Sequence, residues 1–174
     1  MKLTTKVILM MGALSMAACT NAGKLGGGAG DGAFDPNAAV NSGVIAGSAS
    51  DPASTAYFQQ AVGDRVTFEV DQSSLTAVGR ATLDGQATWL LTNADYTAII
   101  EGHADEQGTR EYNIALGNRR ADAARSYLVS KGVPSSRMQI VSYGKERPIE
   151  ICSEEACYAK NRRAVTVLAG GLTG

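Results

Sequence analysis

Histidine is almost absent from this chain: His103 is the only one among 174 residues. Hydrolytic zinc sites normally draw on three protein ligands including histidines, so supply alone argues against that chemistry. Neither HExxH nor GxSxG occurs, and no cysteine lies close enough in sequence to His103 to pair with it as a nucleophile. A basic excess is also missing. Sixteen Lys and Arg against 17 Asp and Glu leave a formal net charge of −1, which argues against nucleic acid as a partner. No apolar run reaches the roughly 20 residues that a membrane-crossing helix needs. Of the three cysteines, Cys152 and Cys157 fall together in CSEEAC. With no second Cys or His pair to complete a tetrahedral shell, metal is disfavoured, which leaves a short disulfide loop or two free thiols. A secreted chain favours the disulfide.

What is present begins with an address. Lys2 and Lys6 flank the start of the apolar stretch Val7 to Met16, and Ala17, Ala18 and Cys19 follow. A positive start, an apolar core and a small-residue exit describe a secretory signal. Leu14 to Cys19, LSMAAC, resembles the lipobox of bacterial lipoproteins, although Met16 stands where that motif most often has leucine. The resemblance implies that residues 1–18 are removed and that Cys19 is acylated. Thr20 at the next position then implies the outer membrane as the lipid partner. The alternative is an ordinary cleaved signal with a chance cysteine. Each buried CH₂ contributes roughly 0.8 kcal/mol, so two or three acyl chains anchor far better than one.

Thr20 to about Ser54 is rich in Gly, Ala, Ser, Asn and Asp, and residues 19–60 are expected to form the lipidated N-terminus and a flexible linker. A folded domain is expected over 61–170, with a loose tail at 171–174. Arg65 to Val70 (RVTFEV) alternates apolar and polar residues as a half-buried strand does. Thr76 is a plausible N-cap for a helix reaching about Leu91, with Leu83, Ala87, Leu90 and Leu91 on one face. Tyr96 to Glu101 reads as a second strand, and a long helix runs from about Arg110 to Lys131, stopped by Gly132 and Pro134. Met138 to Ser142 and Ala164 to Leu168 give two more strands, with a short helical turn between them. The order β-α-β-α-β-β predicts an α/β (α+β) sandwich: a mixed four-stranded sheet with helices on one face.

The densest stretch is EGHADEQGTREYNIALGNRRADAA, from Glu101 to Ala124. On a helix advancing about 100° per residue from Leu116, Ala123 and Tyr127 fall near −20° and +20°, and Arg120 falls near +40°, inside the apolar stripe. A guanidinium on a core-facing side must find acceptors, because an unpaired buried charge is costly. Asp105, in the loop before the helix, is the expected partner. Two readings stay open. One is a structural salt bridge between Asp105 and Arg120. The other is a clamp for a zwitterion, with Asp105 taking an ammonium group and Arg120 a carboxylate. A lone histidine at a strand end is more often a packed residue than a catalyst. Acid–base chemistry by His103, Asp105 and Glu106 is therefore the weaker alternative, and no catalytic residue is assigned.

GHADEQGTREYNIALGNRRADAARSYLVSKGV, then VSYGKERP, then KNRRAVTV, closely resemble the OmpA-like C-terminal domain family and, within it, the peptidoglycan-associated lipoproteins. The resemblance runs in order from about Val66 to Leu168. It implies a domain that binds peptidoglycan non-covalently through the diaminopimelate of the stem peptide, with no cofactor. Carried over residue by residue, it implies that Asp105 and Arg120 hold the ligand's charged end and that Ala104, Leu116 and Asp71 line the pocket. Asn113 is expected to organise the loop and helix start. The resemblance also implies the Tol–Pal system and its periplasmic protein TolB as partners. A wall-binding lipoprotein outside that system, or less readily a wall hydrolase, are the alternatives. Gln107 departs from the family's usual arginine and Ala77 from a common proline, and CSEEAC is a local departure. Both Asp105→Ala and Arg120→Ala are expected to abolish peptidoglycan binding while leaving the fold intact.

Overall fold

The structure is a computed structural model that describes residues 44–170. The signal segment, Cys19, the linker up to residue 43 and the tail at 171–174 lie outside the described residues. Four strands, β1 (Arg65–Thr67), β2 (Tyr96–His103), β3 (Met138–Gly144) and β4 (Arg163–Gly170), form one sheet in the order β1-β4-β2-β3. β4 is antiparallel to both β1 and β2, whereas β3 is parallel to β2, so the sheet is mixed. The short α1 (Thr55–Tyr57) precedes β1, and α2 (Ala77–Thr92), α3 (Arg110–Ser130) and α4 (Glu155–Asn161) lie between the strands. The β-α-β-α-β-β order is the one read from periodicity, and α2 and α3 cover one face of the sheet.

Local chemistry explains the helix ends. Thr76 Oγ1 accepts from Gly79 N–H at 2.9 Å, and Thr109 Oγ1 accepts from Tyr112 N–H at 3.2 Å. Each hydroxyl satisfies a donor that the first helical turn leaves unpaired. The core between sheet and helices holds Val66, Leu83, Leu90, Ile100, Ala121, Ala124 and Leu128. Ala98, Ile100 and Gly102 alternate onto this side of β2, as a period of two requires. β2 approaches α3 most closely where two glycines meet. A Cβ built on Gly102 would collide with the Gly117 carbonyl, and one on Gly117 would collide with Ser142 Oγ.

Several boundaries differ from expectation. β1 ends at Thr67 rather than Val70, because Phe68 N–H turns to donate to Arg162 O at 2.9 Å and Asp71 adopts a positive φ of 56°. In α2, Leu91 is exposed while Gln86 and Trp89 are buried, so the apolar stripe is rotated away from Leu91. In α3 the stripe is centred on Leu116, Gly117, Arg120, Ala121, Ala124 and Leu128, which leaves Ala123 half-buried at its edge.

The linker does not extend to residue 60. Phe58 is fully buried against Trp89, with ring centroids 4.9 Å apart. Trp89 Nε1–H donates to Pro52 O at 2.7 Å and Tyr96 O–H to Ala53 O at 3.0 Å, so the chain is clasped to the domain from about Pro52. A window rich in small residues hides the one aromatic that carries this contact. Arg137, just before β3, donates to Leu90 O and Asn93 O at 2.9 Å each and to Tyr96 O, which closes the C-terminal end of α2.

Candidate functional site

At the C-terminal end of β2 the chain passes into a loop that faces the β1–α2 connection and the first turns of α3. Between them lies a cavity of about 260 Å³, lined by Val70, Asp71, Asp105, Gln107, Gly108, Tyr112, Asn113 and Leu116. Three expected residues, Asp71, Asp105 and Leu116, are therefore brought to one cavity. Ala104 and Arg120 are not among its lining: both are buried behind it. Asn113 organises the loop as expected, donating from Nδ2 to Gln107 O at 2.7 Å. Tyr112, which sequence reasoning passed over, donates its hydroxyl to Asp71 Oδ1 across the rim. That bond pushes the Tyr112 phenol above its ordinary value.

The expected Asp105–Arg120 ion pair does not form. Arg120 is fully buried and its fork is held by three backbone carbonyls: Nε–H donates to Gln72 O at 2.8 Å, Nη1 to His103 O at 2.9 Å and Nη2 to Glu69 O at 3.2 Å. Phe68 lies beneath it, its ring centroid 5.3 Å from the guanidinium carbon. Burial pulls Arg120 down to about 10, with Asp105 and Asp71 pushing back, so it is charged at neutral pH. Because these contacts join the 69–72 segment to the end of β2, Arg120→Ala is expected to cost stability as well as binding.

Asp105 pairs instead with Arg162, Nη1 to Oδ2, at 3.1 Å, with both side chains nearly buried. Arg162 also donates to Phe68 O at 3.2 Å and pairs with Glu155. Burial pulls Arg162 down, but the hydrogen bonds to Glu155 and Asp105 outweigh it and raise it overall. Asn161, also fully buried, donates to Glu106 Oε1 at 2.8 Å and accepts from Ile149 N–H and Glu150 N–H. Arg163 points elsewhere, toward Asn161 O and Arg147 O. The run KNRRA thus divides into two residues that support the site and one that braces the sheet. Two basic residues adjacent in sequence gave no signal for that division. Cys152 and Cys157 are joined by a disulfide.

His103 is packed, not poised. It is 2% exposed and lies beside Tyr143, with ring centroids 5.6 Å apart. Neither ring nitrogen has a hydrogen-bond partner; the nearest carboxylate oxygen, Glu101 Oε2, is 3.5 Å from Nε2. Burial, and then the charges of Arg163 and Arg147, depress its pKa from 6.5 to about 4. Between those values the unfolded chain holds a proton that the folded chain lacks, so stability falls as pH drops from 6.5 toward 4. The expected loss is about 3 kcal/mol across that window. Urea unfolding of the native chain and His103→Phe at several pH values tests this: the difference between their slopes should be confined to it. Parallel slopes would rule it out. Among the described residues no group of three or more His, Cys, Asp or Glu is arranged to hold a metal, and no helix is long and apolar enough to cross a membrane.

Comparison with known proteins matches the geometry. The OmpA family matches residues 67–162. The peptidoglycan-associated lipoprotein of Rhizobium meliloti (strain 1021) is 55% identical over 135 residues, covering 78% of this chain and 76% of the relative. That of Agrobacterium fabrum is 46% identical over 164 residues, covering 94% and 87%. Among solved structures, the peptidoglycan-associated lipoprotein from Burkholderia pseudomallei superposes with a TM-score of 0.61 at 38% identity, over 68% of this chain and 97% of that one. With its sheet order, its loop-bounded cavity and these relatives, the chain belongs to the OmpA family, on the branch represented by the peptidoglycan-associated lipoproteins.

Proposed function

We propose that this protein is a wall-binding lipoprotein that holds peptidoglycan non-covalently through the diaminopimelate end of a stem peptide. The observation that carries the reading is the cavity lined by both Asp71 and Asp105, with the buried cation Arg120 bonded to the segments that bound it. Asp71 is exposed and offers an acceptor to the ligand's ammonium group. Arg120 is fully buried and bonded to the carbonyls of Glu69, Gln72 and His103, so it acts on a ligand carboxylate through its charge. An end bearing both charges suits a cavity with that polarity. The names of the relatives support the polymer as ligand, and a site with a packed histidine and no nucleophile supports binding rather than chemistry.

Acylated Cys19 would place the domain in the periplasm on an outer-membrane anchor. The family resemblance read from the sequence adds a role in the Tol–Pal system through TolB, which retention of purified TolB in a pull-down checks. Co-sedimentation with purified peptidoglycan tests the pocket. Asp105→Ala is expected to lose at least about tenfold in affinity, by removing a charged contact with an energy on the order of 1.5–3 kcal/mol. Undiminished sedimentation of the folded variant would sink the assignment.

A further inference from the structure

The CSEEAC loop and α4 stand outside the cavity, yet they hold its wall. α4 has seven residues, of which only Asn161 is buried, and Glu154 at its N-cap makes no side-chain capping bond. A helix this short has little stability of its own, and it offers no apolar face for the core to hold. Its fastenings are therefore few and identifiable. At the C-terminal end, Asn161 bonds Glu106 and Arg162 bonds Asp105. At the N-terminal end, the Cys152–Cys157 disulfide joins the first turns to the preceding loop, with Cα atoms 6.1 Å apart. Asn161 closes the circuit by accepting from Ile149 N–H and Glu150 N–H in that loop and donating to Glu150 O.

We propose that the disulfide-braced α4 is the positioning support of the ligand pocket, and that reducing Cys152–Cys157 weakens ligand binding without unfolding the domain. Arg162 and Asn161 are its positioning residues, acting through Asp105 and Glu106. Both cysteines are partly exposed and so reachable by a small dithiol. Attack by one thiolate of the dithiol on a protein sulfur gives a mixed disulfide, which the second thiol resolves. The protein gains two electrons and two protons as two thiols, and the dithiol leaves as its own disulfide. The loss of the crosslink frees the N-terminal turn of α4 and with it Glu155, so the Arg162 fork, whose backbone stays pinned to Phe68, loses the carboxylate that orients it toward Asp105.

This inference rests on the proposed wall-binding function, and the test separates the two. A soluble muropeptide ending in diaminopimelate is titrated into the oxidised protein, then into protein reduced with dithiothreitol, with reduction verified by mass after thiol alkylation. Reduction should raise Kd at least fivefold while circular dichroism stays native, and reoxidation should restore the original value. The Cys152→Ser/Cys157→Ser double variant should bind like the reduced protein and ignore the reductant. Arg162→Lys, which keeps the charge but loses the fork, should raise Kd in the oxidised state and respond less to reduction. Failure of the oxidised native protein to bind the muropeptide would overturn the wall-binding reading and this inference with it. Equal Kd values in the two redox states, or unfolding on reduction, would overturn this inference alone.

Discussion

Gly102→Ala is expected to abolish stable folding. The new methyl group would be driven into the carbonyl of Gly117 on α3, and neither partner can yield by rotating a side chain, because both are backbone. Relief requires α3 to lift from β2, which would separate Ala98 and Ile100 from Ala121 and Ala124 across the core. Overpacking ordinarily costs about 1–3 kcal/mol where side chains can adjust. Here they cannot, and a loss above about 4 kcal/mol is expected, a large share of a domain's usual 5–15 kcal/mol. Near-ultraviolet circular dichroism and urea titration measure it. A variant that unfolds within about 1 kcal/mol of the native protein would show that the sheet and helix have slack the geometry does not reveal.

Arg120→Ala should cost about 4 kcal/mol, combining a buried void with three stranded carbonyls, those of Glu69, Gln72 and His103. Arg120→Lys should cost roughly half as much, since an ammonium group cannot span acceptors on two separate segments as a planar fork does. The lysine variant is thus the informative one for binding. If it folds and still loses peptidoglycan, Arg120 contributes to the ligand as well as to the loop. Thermal unfolding followed by co-sedimentation resolves the two roles. A stability change under about 1 kcal/mol for the alanine variant would contradict the burial argument.

Arg120 also marks how far sequence alone can go. Its position on the apolar side of α3 follows from helical periodicity, and its need for acceptors follows from charge burial, so the anomaly is legible in the residues themselves. The identity of the acceptors is not. Carbonyls carry no sequence signature, whereas the nearby carboxylate of Asp105 does, and Asp105 therefore draws the expectation. Its actual partner, Arg162, lies 57 residues away and arrives only because β4 runs between β1 and β2. A sheet order of β1-β4-β2-β3 cannot be read from strand periodicity, and the pairing depends on it. Phe58 escapes notice for a different reason: averaging over a window of small residues erases a single aromatic anchor. The helix start at Thr76, by contrast, is legible because a cap is a local event.

The clasp at Pro52 and Ala53 has a mechanical consequence. Tyr96, which helps to hold the N-terminal segment, opens β2, and Asp105 stands just past its other end. Over the seven steps from Tyr96 to His103, at about 3.3 Å each, the strand spans roughly 23 Å between the clasp and the start of the pocket loop. If the N-terminal segment leads to the membrane and the pocket grips the wall, tension between them runs lengthwise along β2. That strand lies inside the sheet, bonded to β4 on one side and β3 on the other. Pulling it out would shear two ladders of hydrogen bonds at once rather than peel them one by one. The domain is strung along the direction in which a sheet resists force best.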